Sequence, residues 1–91
     1  MSTKRIIFSG KVQGVGFRYT TKEIALGFDV CGWVKNLFDG TVEMHVMGED
    51  EEVDDYLREI IEESTVARFI KDVKIDDIPP LENASGFRIT E

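Results

Sequence analysis

Three glycines in seven residues, Gly10, Gly14 and Gly16, separate an alternating apolar run from a helical pattern. The segment they define, Gly10-Lys11-Val12-Gln13-Gly14-Val15-Gly16-Phe17-Arg18, ends on an arginine. Glycine loses more backbone freedom on folding than any other residue, so such a cluster implies a path that side chains would forbid. One such path is a loop whose N–H groups converge into a concavity suited to an anion. A helix starting at the end of the loop adds its unpaired N–H groups and the positive end of its dipole. Arg18 supplies a permanent charge and a planar fork of donors that matches phosphate. The segment reads either as a phosphate-binding loop or as a glycine-rich strand-to-helix turn carrying a surface arginine. Two familiar phosphate loops are excluded. A Walker loop needs Gly-Lys followed by Ser or Thr, whereas Gly16 precedes Phe17 and Arg18, and a dinucleotide fingerprint needs glycine where Tyr19 stands.

The rest of the chain limits the anion to a small one. The formal net charge is −7, which disfavours nucleic acid or an anionic membrane as partner, since both are bound through clustered Lys and Arg. Acidic residues gather in Glu49–Asp55 and Glu59–Glu63, whereas Lys4, Arg5, Lys11, Arg18, Lys22 and Lys35 lie in the first 35 residues, around the glycine segment. Val12 to Phe17 also lacks the aromatic pattern of an RNA-recognition strand. The single cysteine, Cys31, allows neither an intrachain disulfide nor a cysteine-based metal site. It fits a reducing, cytoplasmic setting. The first residues reach only three apolar positions before a serine, too few for a signal peptide, and no stretch approaches a membrane span.

Ninety-one residues are expected to form one domain, spanning positions 1–91. Arg5 to Val12 alternates as a strand, and Phe17, Ile24, Ala25 and Phe28 recur at helical spacing up to Gly27. Val30 to Leu37 and Thr41 to Met47 are strands joined by the turn signal Asp39-Gly40. Asp50 is expected to cap a second helix whose Val53, Tyr56, Leu57, Ile60 and Ile61 form one apolar stripe. Arg68 to Asp76 gives a fourth strand, Pro79-Pro80 a loop, and Phe87 to Thr90 a short last strand. The order βαββαβ plus that strand predicts an α+β, ferredoxin-like split βαβ fold: an antiparallel sheet with two helices on one face. That fold serves many activities, so the site has to decide.

A second feature is Asn36, in a strand context that Asn usually avoids and close to a turn that Asp39-Gly40 already supplies. It is either a strand-end residue bonding its own backbone or an amide offered to a ligand of the glycine loop. His45 and Cys31 have no partners at catalytic or metal-ligand spacing. His45 reads as structural or surface, Cys31 as a small half-buried hydrophobe.

Taken together, Gly10-x-Val12-Gln13-Gly14-Val15-Gly16-Phe17-Arg18 and Gly32-Trp33-Val34-x-Asn36-x-x-Asp39-Gly40-x-Val42-Glu43 resemble the two signatures of the acylphosphatases, with Gly86-Phe87-Arg88-Ile89 matching near the C-terminus. Where the family has a Gly-Pro-rich turn after the second helix, this chain has Glu63-Ser64-Thr65-Val66. The resemblance implies an enzyme that hydrolyses the carboxyl–phosphate anhydride of small acyl phosphates without metal, other cofactor or phosphoenzyme. Gln13, Gly14, Val15, Gly16, Phe17 and Arg18 would hold the phosphate, and Arg18 and Asn36 would be catalytic, Asn36 by orienting the water. It implies a stand-alone, monomeric enzyme rather than the related domain of the large hydrogenase-maturation proteins. A non-catalytic phosphate- or protein-binding domain and an RNA-binding module are the competing readings.

Overall fold

The computed structural model describes residues 1–91. Its elements follow in the order β1 (Ser2–Gly10), α1 (Phe17–Ala25), β2 (Val30–Asn36), β3 (Val42–Gly48), α2 (Asp50–Arg58), β4 (Ile70–Asp77) and β5 (Phe87–Ile89). A π-helical turn, Glu59–Glu63, prolongs α2, and a 3₁₀ turn, Ala67–Phe69, leads into β4. The predicted split βαβ order is present. The sheet runs β4-β1-β3-β2-β5, with β1 and β2 both antiparallel to β3 between them.

Alternation along the strands builds the core. Ile6, Phe8, Val34, Val42, Met44 and Val46 are wholly buried. They join Phe17 and Ala25 of α1 and Val53, Tyr56, Leu57 and Ile60 at α2 and its extension in one apolar cluster. Each such side chain contributes roughly 1.5–3 kcal/mol by leaving water. The Phe8 and Phe17 rings meet at 4.9 Å, which ties the start of α1 to β1. Tyr56 crosses the helix layer: its hydroxyl donates to the Thr21 carbonyl at 2.8 Å, and burial pushes its pKa far above the ordinary phenol value.

Five expectations change. The sheet is mixed, because the chain after Pro79-Pro80 crosses to the free edge of β2 and enters parallel to it. Backbone bonds from Gly32 to Gly86 and from Thr90 to Val34 secure that pairing. β1 begins at Ser2 and stops at Gly10, where its register with β4 shifts, rather than running from Arg5 to Val12. α1 ends at Ala25, short of Gly27 and Phe28, and Arg68 lies in the 3₁₀ turn rather than in β4. Asp50 is the first helical residue of α2 and not its cap. Its carboxylate accepts from the Ser2 hydroxyl at 2.5 Å and lies 3.3 Å from the amino terminus. No helix is long and apolar enough to cross a membrane.

The opposite parity of the central strands carries a polar cluster. Glu43 accepts from Arg5 Nε at 2.6 Å and from His45 Nε2 at 3.1 Å, with Lys35 Nζ at 3.8 Å. Burial alone would raise the Glu43 pKa, but the Arg5 and His45 hydrogen bonds outweigh it and hold the carboxyl below its usual range. The His45 ring stacks on Trp33 at 4.1 Å, which gives His45 the structural place its isolation in the sequence suggests. Cys31 is half-buried, and that burial raises its thiol pKa.

Candidate active site

Because β1 and β2 flank β3 and both oppose its direction, their C-terminal ends lie at one end of the sheet. The glycine segment leaves the first and the β2–β3 hairpin leaves the second. Topology alone therefore brings the two motifs together.

Gly14 and Gly16 both have φ +78°, and a Cβ at either would meet nothing within 4 Å. Glycine is required there for its conformation and not for space, since the left-handed region costs other residues roughly 1–2 kcal/mol. The path it allows leaves the backbone N–H groups from Gln13 to Tyr19 without an acceptor in the backbone. The first donor of the helix ladder is Thr20, to the Gly16 carbonyl at 3.0 Å. Gly16 is the N-cap of α1 and offers no side chain, and the first turn contains no acidic residue. These N–H groups, free of backbone acceptors, adjoin the positive end of α1, and an uncapped helix start favours an anion.

Arg18 sits in that first turn, partly buried. None of the ion pairs of the protein includes it. Neither its guanidinium nor the Asn36 amide takes part in a side-chain hydrogen bond. The backbone beneath Arg18 is held: the Thr21 hydroxyl, wholly buried, donates to the Arg18 carbonyl at 2.9 Å. A fixed backbone with an unengaged charged head suits a residue that waits for a ligand.

The hairpin is equally constrained. Leu37 N–H donates to the Thr41 carbonyl at 2.9 Å, and Gly40 N–H to the Leu37 carbonyl at 3.3 Å. Asp39 accepts from the Thr41 hydroxyl at 2.6 Å and the Thr41 N–H at 3.0 Å, which lowers its pKa. Gln13 then joins the two motifs, its side-chain amide donating to the Leu37 and Thr41 carbonyls, each at 2.8 Å. These bonds tie the glycine loop to the strand end that carries Asn36, which closes β2 opposite Val42. Asn36 shares parity with the buried Val34 and not with Trp33 and Lys35, which places it on the α1 side of the sheet.

A cavity of about 590 Å³ opens where the motifs meet, lined by Gln13, Arg18, Lys35, Asn36, Leu37, Phe38, Thr90 and Glu91. Of the residues anticipated from sequence, Arg18, Asn36 and Gln13 line it. Gly14, Val15, Gly16 and Phe17 shape the loop beside it, with the Phe17 side chain turned into the core. Thr90 and Glu91 were not anticipated. They arrive through the parallel pairing of β5 with β2, for which the sequence offered no register signal. Leu37 and Phe38 immediately precede the legible Asp39-Gly40 turn, and apolar residues there carry no obvious chemistry in the sequence.

Comparison with known proteins identifies the family. Residues 4–89 match the family model described as acylphosphatase. The chain is 43% identical over 81 residues to the acylphosphatase of Listeria welshimeri, covering 89% of this chain and 87% of that one. The crystal structure of acylphosphatase from Bacillus subtilis superposes with TM-score 0.89 at 33% identity, over 100% of both chains. The crystal structure of T. kodakarensis HypF matches with TM-score 0.85 at 28% identity, over 100% of this chain and 12% of that one. By sequence, fold and the arrangement of its two motifs, the chain belongs to the acylphosphatase family of enzymes.

Proposed function

We propose that this enzyme hydrolyses small acyl phosphates to a carboxylate and inorganic phosphate, with the phosphoryl group seated on the backbone from Gln13 to Arg18. The observation that carries the reading is the meeting of an unpaired Arg18 and an uncommitted Asn36 amide at one cavity, beside a loop whose N–H groups from Gln13 to Tyr19 have no backbone acceptor. The N–H groups and the guanidinium hold the nonbridging oxygens and stabilise charge as the phosphoryl group transfers. The Asn36 amide orients a water in line with the bond that breaks. The water oxygen bonds to phosphorus, the acyl oxygen departs as carboxylate, and the water's proton passes to a phosphate oxygen of the substrate. Arginine and an amide cannot take that proton, and Glu91 is exposed with no hydrogen bond to fix its carboxylate.

Catalysis here is positioning plus charge, which suffices for a good leaving group. The positive field comes from the chain itself, so no metal or phosphoenzyme enters the scheme. The lone thiol fits a reducing, cytoplasmic setting. Within this scheme the side chain of Gln13 positions the hairpin, while its backbone belongs to the loop.

The test is hydrolysis of benzoyl phosphate, followed by ultraviolet absorbance with excess chelator. Turnover that persists with chelator and collapses in both Arg18→Ala and Asn36→Ala supports the scheme. A folded wild type without turnover refutes it, and a hundredfold loss of kcat in Glu91→Gln would move the proton to Glu91.

A further inference from the structure

The cavity lining is polar except for two residues. A phosphoryl group on the loop, with its few heavy atoms, fills only a small part of about 590 Å³, which leaves room for an acyl group against the rest of the lining. Leu37 and Phe38 are the two apolar residues that line the cavity, and they stand there in succession. Phe38 is fully exposed. An exposed large apolar side chain is the informative departure from normal burial, and this one stands at the mouth of a site.

The tip that presents Phe38 is rigid. It is closed by the Leu37–Thr41 and Gly40–Leu37 backbone bonds, by Asp39 on Thr41 and by both Gln13 bonds. A ring on such a frame loses little freedom when it is covered, which favours its use as a contact. The neighbouring cation does not compete for this part of the lining. The Lys35 ammonium lies 3.8 Å from Glu43 and 5.3 Å from the Trp33 ring centroid, which leaves its aliphatic stem to the cavity wall.

We propose that Leu37 and Phe38 form an acyl-group subsite that selects acyl phosphates with an aromatic or extended apolar acyl body over those with a minimal one. This rests on the acylphosphatase reading given above. An aromatic acyl group packs against the Phe38 ring while its phosphoryl end occupies the loop, so the contact strengthens binding along the whole reaction path. Its effect therefore appears in KM and kcat/KM more than in kcat.

The experiment compares kcat/KM for benzoyl phosphate and for acetyl phosphate in wild type, Phe38→Ser and Phe38→Tyr. In Phe38→Ser the benzoyl-to-acetyl ratio is expected to fall roughly fivefold to tenfold, the size of one aromatic contact, mainly through KM for benzoyl phosphate. Phe38→Tyr keeps the ring and is expected to hold the ratio within about twofold of wild type. A Phe38→Ser ratio within twofold of wild type overturns the subsite, and so does an equal fall in Phe38→Tyr. Both results leave the acylphosphatase reading intact, because wild type still turns over. A wild type that hydrolyses neither compound defeats that reading and the subsite with it.

Discussion

The two helices of this protein begin in opposite ways. α2 opens with Asp50, Glu51 and Glu52, so its positive end is answered by its own carboxylates. Those carboxylates also fasten it to its surroundings. Asp50 meets Ser2 and the amino terminus, and Glu52 accepts the Asp29 N–H at 2.7 Å. α1 opens from a left-handed glycine with no capping side chain, no acid in its first turn, and Arg18 adding to the positive end. Capping acids stabilise a helix end by about 0.3–1 kcal/mol. α2 uses that stabilisation for the fold, whereas α1 forgoes it and leaves its first N–H groups unpaired, which on the proposed reading frees them for the phosphoryl group.

Breaking the binding end is expected to have the largest effect. Arg18→Ala removes the only side-chain charge of the α1 terminus and should lower kcat/KM for benzoyl phosphate by roughly 10³–10⁵. Asn36→Ala should lower kcat by roughly 10²–10³, the loss seen when one preorganised polar group is removed. Its inhibition constant for inorganic phosphate should stay within a few-fold of wild type. Gly16→Asp gives α1 the kind of acid that α2 has, and competitive phosphate inhibition should weaken by about tenfold or more, or about 1.4 kcal/mol. Gln13→Ala strips a donor from two carbonyls that other groups still bond. A loss of about 1–2 kcal/mol in urea unfolding is expected, with kcat falling more than KM rises. The smallest effect belongs to the fold-building end: Glu52→Gln should cost about 0.5–1 kcal/mol of stability and leave turnover unchanged.

What was legible in the sequence follows the same division. Local rules decided the elements: alternation read β2 and β3 to within a residue, the stripe Val53-Tyr56-Leu57-Ile60 read α2, and Asp39-Gly40 read the hairpin. The glycine loop was legible because its path turns on left-handed backbone at Gly14 and Gly16, a conformation that glycine favours. Asn36 was legible as an amide out of place in a strand. The bond from Gln13 to Leu37 and Thr41 was not, because it joins residues 24 and 28 positions apart and nothing local marks it. Likewise Thr90 and Glu91 reach the cavity only through the parallel docking of β5, and three residues contain too little pattern to fix direction or register. Asp50 was misread because a carboxylate before a helical stripe looks the same as a cap or as the first helical residue.

The central claim is that the start of α1 binds a phosphoryl group through its backbone while the start of α2 does not. Titrating inorganic phosphate into ¹⁵N-labelled protein and following every amide resonance tests it directly. The account expects saturable shifts concentrated in the amides from Gly14 to Tyr19, lost in Arg18→Ala, with Asp50 to Glu52 unmoved. Shifts spread evenly over the basic surface, or largest away from that loop, would contradict it.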